Sequence, residues 1–179
     1  VKRAAFIDNV EYFDNALFNI TPPEVKAMDP QQRILLEVSY ETFISSGYTK
    51  ESLHNANIGV FVGVCNHDWI YLMSDDTISS YSGTGSAGCI IANRLSYVYG
   101  LKGPSVAVDT ACSSSLVAVD VAFEKVIRGD CKSALVAGAN LMLTPHLFIA
   151  FCKARMLSPD GKCKTFDDSA DGYARGEGV

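Results

Sequence analysis

The stretch Ser105-Val-Ala-Val-Asp-Thr-Ala-Cys-Ser-Ser-Ser-Leu-Val-Ala-Val119 joins two hydrophobic periods through a single cysteine. Val106 and Val108 flank Ala107 in a short β-branched run that reads as a buried strand. Beyond the cysteine, Leu116, Val117, Val119, Ala122, Phe123, Val126 and Ile127 recur at three- and four-residue spacings, which predicts a helix with a wide apolar face. Cys112 therefore falls in a tight strand-to-helix turn, at or just before the helix N-terminus. Ala111, Ser113, Ser114 and Ser115 are small enough to let the backbone close there.

That position has a chemical meaning. The first N–H groups of a helix have no intrahelical partner, and the macrodipole places partial positive charge at that end, so a thiolate is favoured over a thiol. Cys112 is a candidate nucleophile, and the same free amides could hold the oxygen of a tetrahedral thioester adduct. Cys65, Cys89, Cys131, Cys152 and Cys163 read instead as small, buried apolar residues.

Outward from this unit, Asn57-Ile-Gly-Val-Phe-Val-Gly-Val64 and Ser133-Ala-Leu-Val-Ala-Gly-Ala-Asn140 are continuous apolar runs, suited to strands of a parallel sheet covered on both faces. Asp29-Pro30 opens a helix with Asp as N-cap and Pro at the first position; it runs to about Ser46 and stops at Gly47. Further helices are expected over Cys89–Tyr99, ended by Gly100, and over 145–156. Ser79–Gly88, rich in Gly and Ser, lacks the Gly-Lys-Ser/Thr ending of a phosphate loop and reads as a close-packed turn. Residues 1–28 show no sustained period. The order of strands and helices predicts an α/β layered fold with a largely parallel sheet.

The 179 residues suffice for one domain with a core. No apolar run reaches membrane-spanning length. A net charge of −5, with Lys and Arg scattered, argues against nucleic acid as a main partner. The cysteines contain no Cys-x-x-Cys and make no ligand spacing with His54, His67 or His146, so no metal is expected and the thiols read as reduced, in an intracellular protein expected in the cytoplasm, with an organelle left open. Cys65-Asn-His-Asp68 gathers triad-type residues, but adjacency in sequence rarely makes a triad, and His67 reads as a loop residue. A Cys-His hydrolase would need His67 or His146 to reach Cys112, and Gly-x-Ser-x-Gly is absent.

Asp109-Thr-Ala-Cys-Ser-Ser-Ser115 resembles the active-site signature of β-ketoacyl synthase domains of polyketide and fatty acid synthases. Met28-Asp-Pro-Gln-Gln-Arg33, Ala92-Asn-Arg-Leu-Ser-Tyr97 with Gly103-Pro104, and Gly161-Lys-Cys-Lys-Thr-Phe-Asp-Asp-Ser-Ala-Asp-Gly-Tyr-Ala-Arg-Gly-Glu-Gly178 agree with the same family, in the same order. The resemblance runs almost end to end and tilts toward the polyketide type. It implies a thiolase-like fold of two similar halves, each a five-stranded mixed sheet with helices on its faces. Residues 1–179 would be roughly the first half, ending where Gly176-Glu-Gly-Val179 leads into that half's last strand.

By resemblance, Cys112 accepts an acyl group from the phosphopantetheine thiol of an acyl carrier protein, and its backbone N–H supplies one oxyanion donor. Malonyl on the same kind of arm then condenses with it; no cofactor is bound directly. The family's His-Gly-Thr-Gly-Thr and Gly-His motifs do not occur between Cys112 and Val179, so these residues alone are not expected to condense anything. A homodimer is implied through the strand near Ser105–Asp109. The alternative is a non-catalytic thiolase-like half-domain acting as a dimerisation or interaction module. Asp109 could brace the nucleophile turn but reads rather as a helix cap, and Arg33 as either a contact for the acidic carrier or the partner of a surface carboxylate. Phe166, Asp167, Arg175 and Glu177 read as structural, near the active-site entrance.

Overall fold

The computed structural model describes all residues, 1–179. In chain order the elements are helices α1 (Pro22–Ala27), α2 (Pro30–Ser45) and α3 (Lys50–Leu53), strand β1 (Ile58–Val64), two 3-10 turns (Asp68–Leu72 and Asp75–Thr77), helices α4 (Ser82–Ser86) and α5 (Ile90–Tyr99), strand β2 (Ser105–Val108), helix α6 (Ser114–Ile127), strand β3 (Ser133–Ala139) and helix α7 (His146–Lys153). The three strands are parallel in the order β2-β1-β3. Gly63 pairs with Val108 on one side and Gly138 on the other.

β1, the central strand, is buried along its whole length. Its side chains alternate between two faces, as a period of two requires. Ile58, Val60, Val62 and Val64 join the main core with Leu35 and Leu36 of α2 and Ile91 and Leu95 of α5. Phe61 points the other way, into a small cluster with Ala118 and Ala122 of α6. Sheet and helices thus form the α/β layering expected from the sequence.

The α2 boundaries also follow the sequence. Asp29 Oδ1 accepts the Gln31 N–H at 2.8 Å, Pro30 is the first helical residue, and Gly47 takes a left-handed φ of 83° just past the end. Burial raises the Asp29 carboxyl above its usual range, against the lowering effect of its bonds from Gln31. Gly100 ends α5 in the left-handed region. The three named strands are fewer than the five implied by resemblance. Single bridges, Ala5 to Gly176 and Asn140 to Gly178, set the two chain ends beside the sheet.

Several expectations need correction. Ser82–Ser86 is one turn of helix, not an irregular turn. The Gly85 carbonyl accepts the Asp29 N–H (2.8 Å) and the Gln32 amide (3.1 Å), so tertiary bonds override the low helix propensity of its glycines. α7 stops at Lys153, short of residue 156, and Arg155 turns the chain with φ 56°. Of the five cysteines expected to be buried, only Cys131 is; Cys152 is half-buried, and Cys65, Cys89 and Cys163 are exposed, because they sit at element ends or in loops. All six are free. No helix is long and apolar enough to cross a membrane.

Candidate active site

β2 ends at Val108, and six residues later α6 begins, lying across β1 and β3. Two glycines make this crossing possible. A Cβ on Gly63 would stand 2.4 Å from Ser115 N, and one on Gly138 would stand 2.9 Å from Ser115 Cβ. The N-terminus of α6 therefore rests directly on the backbones of the two strands.

The turn between them is held by its own side chains. Ala111, immediately before Cys112, takes φ 57°, a left-handed conformation that costs a residue with a Cβ roughly 1 kcal/mol and persists only where neighbours enforce it. The neighbours are clear. Asp109 Oδ1 accepts the Ala111 N–H at 3.0 Å. Ser114 Oγ accepts the Thr110 N–H at 2.9 Å and donates to the Ala111 carbonyl at 2.6 Å, while Ser113 Oγ lies 2.8 Å from both Oγ1 and the carbonyl oxygen of Thr110. Ser114 is buried. The serines read as merely small are the fastenings of the turn, a role that a hydroxyl two or three residues from a strained backbone can signal.

Asp109 is not the helix cap expected of it. α6 starts at Ser114 with Ser113 as N-cap, so Asp109 lies too early and instead bridges the turn. Cys112 precedes the first helical residue by two positions and is exposed. Its N–H donates to no acceptor in the chain, unlike those of Ala111, Ser113 and Ser114 on either side. A thiol and an unengaged amide on a stapled turn are what a tetrahedral thioester adduct requires.

Cys65 and Tyr173 both lie within electrostatic range of the Cys112 thiol, and both also feel Arg175. Cys65 is exposed, yet partial burial is the main reason its thiol is pushed above the usual cysteine range; negative charge on Asp109 and Cys112 adds to this and Arg175 opposes it. Burial likewise raises the Tyr173 phenol, with Arg175 opposing and Cys112 adding. The Arg175 guanidinium also lies 5.2 Å from the centre of the Phe151 ring.

None of the histidines hydrogen-bonds to Cys112. His54 lies by Gly100 at the N-terminal end of the strands, the His67 ring abuts Gly88, and His146 packs edge-on against Tyr71 with ring centres 6.3 Å apart. The Cys-His hydrolase reading has no geometric support. No group of three His, Cys, Asp or Glu side chains is placed to hold a metal ion. Clefts of about 220 and 380 Å³ lie elsewhere, one between Phe18, Tyr40 and Tyr99, the other between Phe6, Met142 and Phe148.

Arg33 fits neither of its expected roles. It is buried, and its guanidinium donates to the Glu11 carbonyl at 3.1 Å. Burial pushes it below the usual guanidinium range, with Asp29 the strongest opposing charge. Glu177 is structural: its carboxylate accepts the Met142 N–H at 2.7 Å and the Ile7 N–H at 3.1 Å. Asp167 holds a local turn through Ser169, and Phe166 is fully exposed.

The model of the β-ketoacyl synthase N-terminal domain matches residues 1–179. The chain is 48% identical over 173 residues to cyclo-acetoacetyl-L-tryptophan synthase of Aspergillus oryzae, covering 96% of this chain and 4% of that protein. It is 47% identical over 182 residues to the non-reducing polyketide synthase olcA of Penicillium canescens, covering 100% of this chain and 7% of that protein. Among solved structures, the ketosynthase from module 6 of the bacillaene synthase of Bacillus subtilis 168 superposes with a TM-score of 0.87 at 40% identity, over 96% of this chain and 29% of that one. The 179 residues thus span a small part of these proteins, and over that part both the sequence and the fold agree. The chain belongs to the β-ketoacyl synthase family, and all of its residues fall within the match to that family's N-terminal domain.

Proposed function

We propose that Cys112 is the acyl-accepting nucleophile of a condensing ketosynthase in polyketide biosynthesis. The observation that carries this reading is the turn itself, where the Cys112 thiol and its unengaged N–H sit on a strained backbone fastened by Asp109, Ser113 and Ser114. The Cys112 thiolate attacks the carbonyl carbon of an acyl thioester carried on the phosphopantetheine of an acyl carrier protein. The Cys112 N–H holds the oxyanion, and collapse of the adduct expels the phosphopantetheine thiolate, leaving the acyl group on Cys112. A malonyl thioester then loses CO2, and the resulting enolate attacks the Cys112 thioester carbonyl. The new carbon–carbon bond forms as the Cys112 thiolate leaves, giving a β-ketoacyl thioester on the carrier.

Decarboxylation is assigned by resemblance to histidines in motifs that residues 1–179 do not contain. The rest of the synthase is also proposed to cover α6, whose Leu116, Val119, Phe123 and Ile127 are exposed. The edge strand β2, with Asp109, is the proposed homodimer seam, since one side of it has no neighbour in the sheet. The test is peptide mapping of the intact ketosynthase after incubation with a short acyl thioester. An acyl group on Cys112 that disappears in Cys112→Ala is expected; an adduct that survives the substitution refutes the nucleophile.

A further inference from the structure

Cys65 is a second thiol at the same end of the sheet, with no part in the reaction above. Its side-chain direction follows from the strand. Along β1 the even positions face α2 and α5, and Asn66 continues them: its carbonyl accepts the Gln31 amide of α2 at 2.9 Å and its own amide donates to the Leu141 carbonyl. The odd positions face α6, with Phe61 against Ala118 and Ala122, and Gly63 beneath the backbone of Ser114 and Ser115.

Cys65 is the next odd position, about 7 Å further along an extended chain. It therefore lies under the residues that precede Ser114, which are Cys112 and Ser113. The strand register agrees: it ends with Gly63 abreast of Val108, so Cys65 leaves β1 at the same end of the sheet, and as many residues beyond the last pair, as Thr110 leaves β2. Both cysteines are free and exposed, and Cys65 senses the charge on Cys112.

We propose that Cys65 is a resolving cysteine for Cys112, so that a peroxide converts the pair reversibly to a disulfide. This rests on Cys112 being the nucleophile. In the first step the Cys112 thiolate attacks one peroxide oxygen, the O–O bond breaks, and Cys112 becomes a sulfenic acid as hydroxide leaves. In the second, the Cys65 sulfur attacks the Cys112 sulfur, an S–S bond forms, and the sulfenic oxygen leaves as water with the Cys65 proton. Two thiols and one hydrogen peroxide give one disulfide and two waters. The disulfide blocks acylation and shields Cys112 from irreversible over-oxidation. Because the Cys65 thiol is held above the usual range, the second step speeds up as pH rises.

The experiment treats the intact ketosynthase with hydrogen peroxide and maps its peptides without reduction, alongside acyl loading of the untreated enzyme. A Cys65–Cys112 linked peptide is expected, with acyl loading lost and then recovered in dithiothreitol. In Cys65→Ser the linked peptide is absent, Cys112 proceeds to sulfinic acid and loading does not return. Wild-type Cys112 driven to sulfinic acid while Cys65 remains open to alkylation overturns the proposal, whatever the variant does. If the untreated enzyme loads Cys112 in that case, only the redox inference fails. If it does not load Cys112, the functional reading fails as well.

Discussion

The two faces of the central sheet are finished to different degrees. On one, 18 buried apolar residues tie β1 to α2, α5 and the segment that precedes them. On the other, α6 meets the strands through three buried residues, Phe61, Ala118 and Ala122. The large side chains of α6 turn away from the sheet: Leu116 is 73% exposed, Phe123 60% and Ile127 69%. A helical period shows that an apolar stripe exists. It does not show whether the stripe's cover lies within the same stretch of chain.

This comparison can be broken or sharpened by substitution. The largest effect is expected at Gly63, where any Cβ meets the α6 backbone at 2.4 Å and neither element can give way. Gly63→Ala should cost about 3 kcal/mol in denaturant unfolding, the upper part of the range for overpacking. The same variant should slow acyl loading of Cys112, because the shift falls on its turn. Leu36, fully buried on the finished face, should lose about 3 kcal/mol as Leu36→Ala, through transfer and cavity terms.

Tyr99 gives a pH test of the finished face. Its hydroxyl donates to the Leu36 carbonyl at 2.7 Å and meets Ser39 Oγ at 3.0 Å, and burial pushes its pKa from 10.0 up to about 12. The folded state thus holds this proton more tightly than the unfolded chain. The stabilisation is fully present below pH 10 and is lost as pH rises from 10 through about 12. Tyr99→Phe should flatten that alkaline loss and cost about 1 kcal/mol at neutral pH. The smallest effect is expected at Phe123. Phe123→Ala should change the stability of the 179-residue chain by less than about 0.5 kcal/mol, as for an exposed position. A loss matching that of Leu36→Ala would mean the α6 face is closed in solution, and the contrast between the faces would fall.

What was legible in the sequence follows the same division. The cap at Asp29, the stop at Gly47, the fully apolar β1 and the strand-to-helix turn at Cys112 are local signals, and each stands where it was expected. Tertiary bonds were not legible. The helix at Ser82–Ser86 rests on Asp29 and Gln32, some fifty residues away in sequence, and on Arg94, which itself bridges Gln32 (2.7 Å) and Glu24 (2.6 Å). Gln31 joins the Asn66 carbonyl to the Leu141 N–H across the core. Nothing in Gln31-Gln-Arg33 marks those side chains as buried. At the site, the position of Cys112 could be read from the change of period, whereas the stapling by Ser114 and the placement of Asp109 depend on the path of the turn.

The most direct test of the account is the site of acylation. Intact ketosynthase incubated with an acyl thioester, digested and sequenced by mass spectrometry should carry the acyl group on the peptide containing Cys112, and Cys112→Ala should carry none. An acyl group found on Cys65 or Cys163 with Cys112 unmodified would contradict it.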